Sequence, residues 1–110
     1  MKKLECIIRP THLEPVIVAC ERLNIGGMTI TQIVGYGEQR GSTNVYRGVE
    51  YEVRLKEKVK VEIVVDDDEV DPLIDSIMNA SRTDTVGDGK IFISPVEDAV
   101  RIRTGERNAV

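Results

Sequence analysis

From Lys58 to Val65 the chain alternates without a break. Val59, Val61, Ile63 and Val65 fall on one side, and Lys58, Lys60, Glu62 and Val64 on the other. A period of two carried by β-branched residues marks a strand, Val53 to Val65 in all, with one face against a core. Such a strand is not stable alone, so the rest of the chain must supply partner strands and a cover for the apolar face. Lys2 to Arg9 is one partner, with Leu4, Cys6 and Ile8 on one side, and Pro10 ends it. Met28 to Gly35 is β-branched and reads as another. Ile91-Phe92-Ile93, stopped by Pro95, is a fourth and places Phe92 on a core strand. Val100 to Arg103 adds a short fifth.

Two segments with helical spacing supply the cover. Leu13, Val16, Ile17, Cys20 and Leu23 share one face, with Thr11 as N-cap, Glu14 as its capping-box partner and Gly26-Gly27 as a left-handed C-terminal cap. Asp66-Asp67-Asp68-Glu69 precedes Val70, Leu73, Ile74 and Ile77, and the acidic run suits the positive end of a helix dipole. It lacks the alternating ligands, central Gly and terminal Glu of a calcium loop. The order strand, helix, strand, strand, helix, strand predicts an α+β, ferredoxin-like βαββαβ domain over residues 1–110, with a long loop at 37–54 between the second and third strands. One sheet face is left uncovered, which favours association between copies.

Composition narrows the function. The 110 residues carry a formal charge of −4 and only three Tyr, one Phe and no Trp, which argues against binding a phosphate backbone or stacking single-stranded bases. The N-terminal apolar run is too short and too charged for a signal peptide, and no stretch has the apolar length of a membrane span. Cys6 and Cys20 fit no metal spacing and read as reduced, buried residues of a cytoplasmic protein. All three tyrosines, Tyr36, Tyr46 and Tyr51, lie in or beside the long loop, where aromatic rings favour protein contact.

Four segments depart from scaffold patterns. The first is the loop itself, from Tyr36 to Arg54, with Gly37, Gly41 and Gly48. The second is Thr83–Lys90, where Gly87 and Gly89 allow the backbone to approach a ligand or form an anion nest beside Lys90. A plain turn fits equally well, and it is not a Walker A loop, because Asp84 and Ile91 stand where Gly and Ser/Thr are needed. The third is Arg101-Ile102-Arg103, which in extended backbone forms a cationic fork or a solvated face. The fourth is Lys58, Lys60, Glu62 and Val64 on one strand face, either a mixed pocket or a salt-bridged surface. The single histidine, His12, reads as a surface residue at a helix start. No nucleophile–base constellation is present, so the residues point to a phosphate-ligand binder rather than an enzyme.

Tyr46-Arg47-Gly48-Val49-Glu50-Tyr51 resembles the signature of the PII nitrogen-regulatory signal proteins, and Thr83 to Val96 (TDTVGDGKIFISPV) matches the second signature of that family. Arg9-Pro10, Gly26-Gly27-Met28-Thr29, Lys58-Val59-Lys60 and Arg101 to Glu106 keep the register over essentially the whole chain. The resemblance implies a homotrimer that binds ATP or ADP competitively in clefts between subunits. Gly87, Asp88, Gly89 and Lys90 of the 82–90 loop would wrap the phosphates, joined by Arg101 and Arg103 from 101–107, and Gly37 would also belong to the nucleotide site. Thr29, Glu62 and Val64 would hold the adenine end. Mg²⁺ with ATP would recruit 2-oxoglutarate near Gly37, Gln39, Gly41 and Lys58, with Gln39 on the metal. Loop 37–54 would dock on an ammonium transporter or an enzyme or regulator of nitrogen metabolism, reaching membranes only through that partner, and Tyr51 would be the site of uridylylation. Any ATP hydrolysis would be a slow side activity. Glu38 stands where the family usually has Arg, and a carboxylate there would repel a γ-phosphate. That difference motivates an alternative, a PII-like variant that senses ADP against ATP without 2-oxoglutarate and regulates a different transporter or enzyme.

Overall fold

The computed structural model describes residues 1–36, 43–46, 49–52 and 55–110, and side chains outside 37–54. Among the described residues, six strands and two α-helices run in the order β1 (Lys2–Ile8), α1 (Leu13–Arg22), β2 (Thr29–Tyr36), β3 (Thr43–Tyr46), β4 (Val49–Glu52), β5 (Leu55–Val65), α2 (Val70–Ser81) and β6 (Lys90–Pro95). Four strands form one antiparallel sheet in the order β2-β5-β1-β6, the ferredoxin-like arrangement expected from the sequence. The long alternating strand is central, and its apolar row meets that of β1: Leu4 lies opposite Ile63, Cys6 opposite Val61 and Ile8 opposite Val59.

Those residues, with Val65 and the helix residues Val16, Cys20, Leu73 and Ile77, make a core that is essentially closed to solvent. Burial of each large aliphatic side chain contributes about 1.5–3 kcal/mol. Cys6 and Cys20 are free thiols inside it. Burial, and the neighbouring Cys20, push the Cys6 thiol up to about 12, and burial raises that of Cys20.

Five local expectations change. The 37–54 segment is not all loop: β3 and β4 pair as an antiparallel hairpin, Thr43 opposite Glu52 and Tyr46 opposite Val49. Thr11 does not cap α1. Pro10 opens a 3₁₀ turn over Pro10–His12, the His12 amide bonds the Arg9 carbonyl at 3.0 Å, and α1 starts after it without a side-chain cap. Gly26-Gly27 does not close α1 either. Asn24 does, with φ of 59°, while the Ile25 amide reaches the Cys20 carbonyl and the Asn24 amide the Glu21 carbonyl, each at 3.0 Å. This is a Schellman closure with Asn in the left-handed position. Val100–Arg103 is a turn, not a fifth strand. His12 is half-buried, and its Nδ1 is shut off from solvent without a hydrogen-bond partner among the described residues.

The acidic run does open α2 as expected. Asp66 and Glu69 form a capping box around the intervening 3₁₀ turn, with the Asp66 amide 3.4 Å from Glu69 Oε1. Asp67 binds the N-terminal ammonium at 3.1 Å.

Candidate functional site

The connection from α2 to β6 folds over the end of the sheet where β1 stops. Its geometry comes from three devices. Gly87 and Gly89 take φ of 103° and 105°, which only glycine adopts without strain. At Gly89 there is a steric reason as well: a Cβ would sit 1.7 Å from the Ile7 carbonyl oxygen. The close backbone approach that this glycine allows in the structure is to β1. Asp88 then closes the loop on itself, accepting the Thr83 amide at 2.7 Å with one oxygen and the Thr83 hydroxyl with the other. Those bonds, with Arg9 beside them, hold the Asp88 carboxyl down at about 2. Asp88 therefore shapes the loop with its side chain.

The third device is Arg9, just beyond β1. Nε donates to the Gly87 carbonyl at 3.1 Å. Nη1 reaches the Thr83 hydroxyl at 3.4 Å, and Nη2 reaches the Thr85 hydroxyl at 3.0 Å and the Val86 carbonyl at 2.9 Å. Nη1 also lies 3.6 Å from Asp88 Oδ1. Nothing in the alternation of β1 singles out Arg9. Its signal in the sequence is only its place, a cation directly after a strand and before a Pro.

In front of this loop is a cavity of about 400 Å³. Gly87, Gly89 and Lys90 form one wall, Lys56 and Lys58 another, and Ile7, Tyr36, Val86 and Phe92 the apolar part. Lys58 Nζ donates to the Gly87 carbonyl at 2.8 Å. Burial, then the nearby Arg9 and Lys56 charges, lower its pKa below the ordinary lysine value. A concave site with three lysines, a short apolar wall and a loop with left-handed glycines suits an anion attached to a flat apolar group. Phe92 belongs to this wall and not to the core, at 55 % exposure on the face away from the helices. Tyr36, also exposed, lines the cavity beside it.

The other candidates lie elsewhere. Glu62 and Val64 are four and six residues along β5 from Lys58, about 13 and 20 Å at strand spacing, and Thr29 pairs with Glu62. Lys3 binds Glu62 at 2.7 Å and holds its carboxyl below the usual range, with Lys60 at 3.5 Å. The face is thus salt-bridged at Lys60 and Glu62, while at Lys58 it lines the cavity. The C-terminal segment leaves β6 at this same end, where the Val96 amide bonds the Met1 carbonyl at 3.1 Å. Arg101 and Arg103 do not make an extended fork. The Arg101 carbonyl accepts the Thr104 and Gly105 amides at 3.3 and 2.7 Å, Gly105 has φ of 73°, and the Arg101 guanidinium pairs with Glu106 at 2.5 Å. One chain thus presents Lys58 and 87–90 at one end of the sheet, and Thr29, Glu62 and Val64 at the other. Gly37, Glu38, Gln39 and Gly41 lie outside the described residues. Tyr51 is on β4, and its side chain lies outside the described set.

Comparison with known proteins gives one answer. The model of a family described as nitrogen regulatory protein P-II matches residues 1–106. The nitrogen regulatory protein P-II of Nostoc punctiforme is 56 % identical over 108 residues, 98 % of this chain and 96 % of that protein. That of a Synechocystis strain is 52 % identical over the same shares, and that of Cereibacter sphaeroides 51 % identical over 106 residues, 96 % and 95 % of the two chains.

Proposed function

The chain belongs to the nitrogen regulatory protein P-II family, and on that premise we propose that it is a binding switch for adenine nucleotides, assembled as a homotrimer. The phosphates of ATP or ADP sit on the 83–90 loop of one chain, against Gly87, Gly89 and Lys90. The base lies near Thr29, Glu62 and Val64 of a neighbour, whose Arg101 and Arg103 reach back to the phosphates. The observation that carries this reading is the separation of the two residue groups to opposite ends of one sheet. A nucleotide spans such groups most simply when they come from two chains. The outer strands β2 and β6 support association, since Ile30, Val34, Phe92 and Ile93 are all exposed on them.

On this reading Mg²⁺ with ATP, held partly by Gln39, recruits 2-oxoglutarate to Gly37, Gln39, Gly41 and Lys58. The keto acid takes the Lys58 ammonium, which otherwise rests on Gly87. Which ligands are bound sets the shape of segment 37–54, and so whether an ammonium transporter or a nitrogen-metabolism enzyme or regulator can dock. The protein works by binding in the cytoplasm, reaches a membrane only through its partner, and is uridylylated on Tyr51. No helix of the described residues is long and apolar enough to cross a membrane.

Calorimetry with ATP and ADP, with and without Mg²⁺ and 2-oxoglutarate, tests this. The expected result is competition between ATP and ADP, and tenfold or greater weakening in both Lys90→Ala and Arg103→Ala. Absence of binding and of thermal stabilisation by either nucleotide would overturn it, because a ligand of the native state raises apparent stability. Glu38 favours a second reading, an ADP/ATP sensor for a different transporter or enzyme, whose signature is nucleotide binding that 2-oxoglutarate does not tighten.

A further inference from the structure

The C-terminal segment carries two ion pairs of unlike build. Asp98 closes its neck. Oδ1 accepts the Ala99 amide at 2.8 Å and the Asn108 amide at 2.9 Å, and Oδ2 accepts from Arg107 Nε at 2.5 Å. The Asn108 amide, then the Arg107 guanidinium, hold the Asp98 carboxyl below the usual range. The Ala109 amide adds a bond to the Ala99 carbonyl at 3.0 Å. Inside this neck the backbone is closed a second time. The Arg101 amide reaches the Glu106 carbonyl at 2.9 Å, and the Glu106 amide reaches the Thr104 hydroxyl at 3.1 Å. With the turn on the Arg101 carbonyl, these bonds fix residues 101–106 without either charged side chain. The second ion pair, Arg101 Nη1 on Glu106 Oε2, joins two exposed groups that the backbone has already brought together. Among the described residues Arg103 makes no hydrogen bond or ion pair.

We propose that Glu106 is a resident anion on Arg101 that a nucleotide phosphate must displace, and that it thereby limits the affinity of this chain for nucleotide. The inference rests on the reading of Arg101 and Arg103 as phosphate ligands. Arg103 is ready for an anion, whereas Arg101 already holds one. A carboxylate left beside Arg101 would repel an arriving phosphate, so the pair has to open. Opening it costs little, because both groups are exposed and water takes them up. It also leaves the loop in shape, because the Asp98 neck and the Arg101–Glu106 backbone bond do not use the Glu106 carboxylate. A phosphate chain carries more charge than one carboxylate and offers oxygens to both arginines, so it wins the guanidinium. The two acids therefore have opposite effects on binding: Asp98 supports it by holding the loop, and Glu106 opposes it by competing for Arg101.

The test is a double-mutant cycle on ATP affinity, read by calorimetry in the full chain, with Glu106→Gln and Arg101→Ala singly and together. Glu106→Gln keeps the size of the side chain and removes its charge. It is expected to tighten ATP about two- to fivefold, the range of an exposed ion pair, with the thermal midpoint within a few degrees. In the Arg101→Ala background the same change is expected to do nothing. Asp98→Ala, which opens the neck, is expected to weaken ATP about fivefold. Unchanged or weaker binding in Glu106→Gln overturns the proposal, since weaker binding would make Glu106 a support of the loop rather than a competitor. Equal tightening with and without Arg101 overturns it as well, because the effect would then be one of net charge alone. Wild-type affinity in Asp98→Ala would overturn the role of the neck. If neither the wild type nor Glu106→Gln binds ATP, the phosphate-ligand reading falls and this proposal with it, an outcome distinct from ATP binding that Glu106→Gln does not tighten.

Discussion

Asp88 holds Thr83, five residues upstream, by both its amide and its hydroxyl, with the amide at 2.7 Å. This pair ties the two ends of the glycine turn together, and its strength depends on the charge of the carboxylate. The folded protein binds the Asp88 proton more weakly than the unfolded chain does, since the carboxyl falls from 3.8 to about 2. The contribution is therefore complete above about pH 4 and is lost as pH falls towards 2. Thermal melts of the wild type and of Asp88→Asn from pH 6 to pH 2 should show a gap that is widest at pH 6 and closes at the acid end. A gap independent of pH would mean that the carboxylate charge is not what closes the loop.

Gly89 and Gly26 look alike in the sequence and should respond in opposite ways. Gly89→Ala forces a Cβ onto the Ile7 carbonyl at positive φ, and a loss of about 3 kcal/mol or more is expected. Gly26 faces open space, and Gly26→Ala should stay within about 0.5 kcal/mol. Urea midpoints at constant slope are the measurement.

Asn24 carries the left-handed closure of α1. Asn24→Gly is expected to raise stability by about 0.5 kcal/mol, and Asn24→Ala to lower it by about 1 kcal/mol. Equal effects of the two would show that backbone conformation at this position does not limit stability.

The core thiols should be silent. A Cys6 thiol at about 12 is ionised to about one part in 10⁴ at pH 8. Alkylation of both cysteines is expected to follow the rate of global unfolding, and rapid labelling in native buffer would contradict their place in the core.

Glu38 stands where members of this family usually carry Arg. If the proposed site brings residue 38 to the γ-phosphate, Glu38→Arg should favour ATP over ADP severalfold, since a repelling charge is replaced by an attracting one. An unchanged ratio would place that side chain away from the phosphates.

The sheet is legible because its alternation is strict: the apolar rows Leu4, Cys6, Ile8 and Val59, Val61, Ile63, Val65 are all in the core. The failures came where one local rule competed with another. Pro10 was stronger than Thr11 in starting the turn before α1. Asn24 took the left-handed position that Gly26-Gly27 would fill more readily, because the helix ends earlier. The β3–β4 hairpin was missed although Arg47-Gly48 separates two short runs with Val and Tyr, a two-residue spacing that favours hairpins. Phe92 departs from expectation for a different reason: an aromatic on an edge strand can face a surface cavity as readily as the core. Among the residues around the cavity, Gly87, Gly89, Lys90 and Lys58 stand out in the sequence by their chemistry, whereas Arg9 does not. Its hydrogen-bond acceptors lie more than seventy residues away, and no local pattern encodes that.

The separation of Lys58 and Lys90 from Glu62 and Val64 along one sheet has a consequence for mixtures. If each cleft is completed by two chains, a chain damaged only at Lys90 and a chain damaged only at Val64 are each silent alone. Refolded together, they would form hybrid rings in which one cleft brings the sound half of each chain face to face. Defects that add up within one molecule would thus cancel between two, and the recovered binding would rise and fall with the mixing ratio.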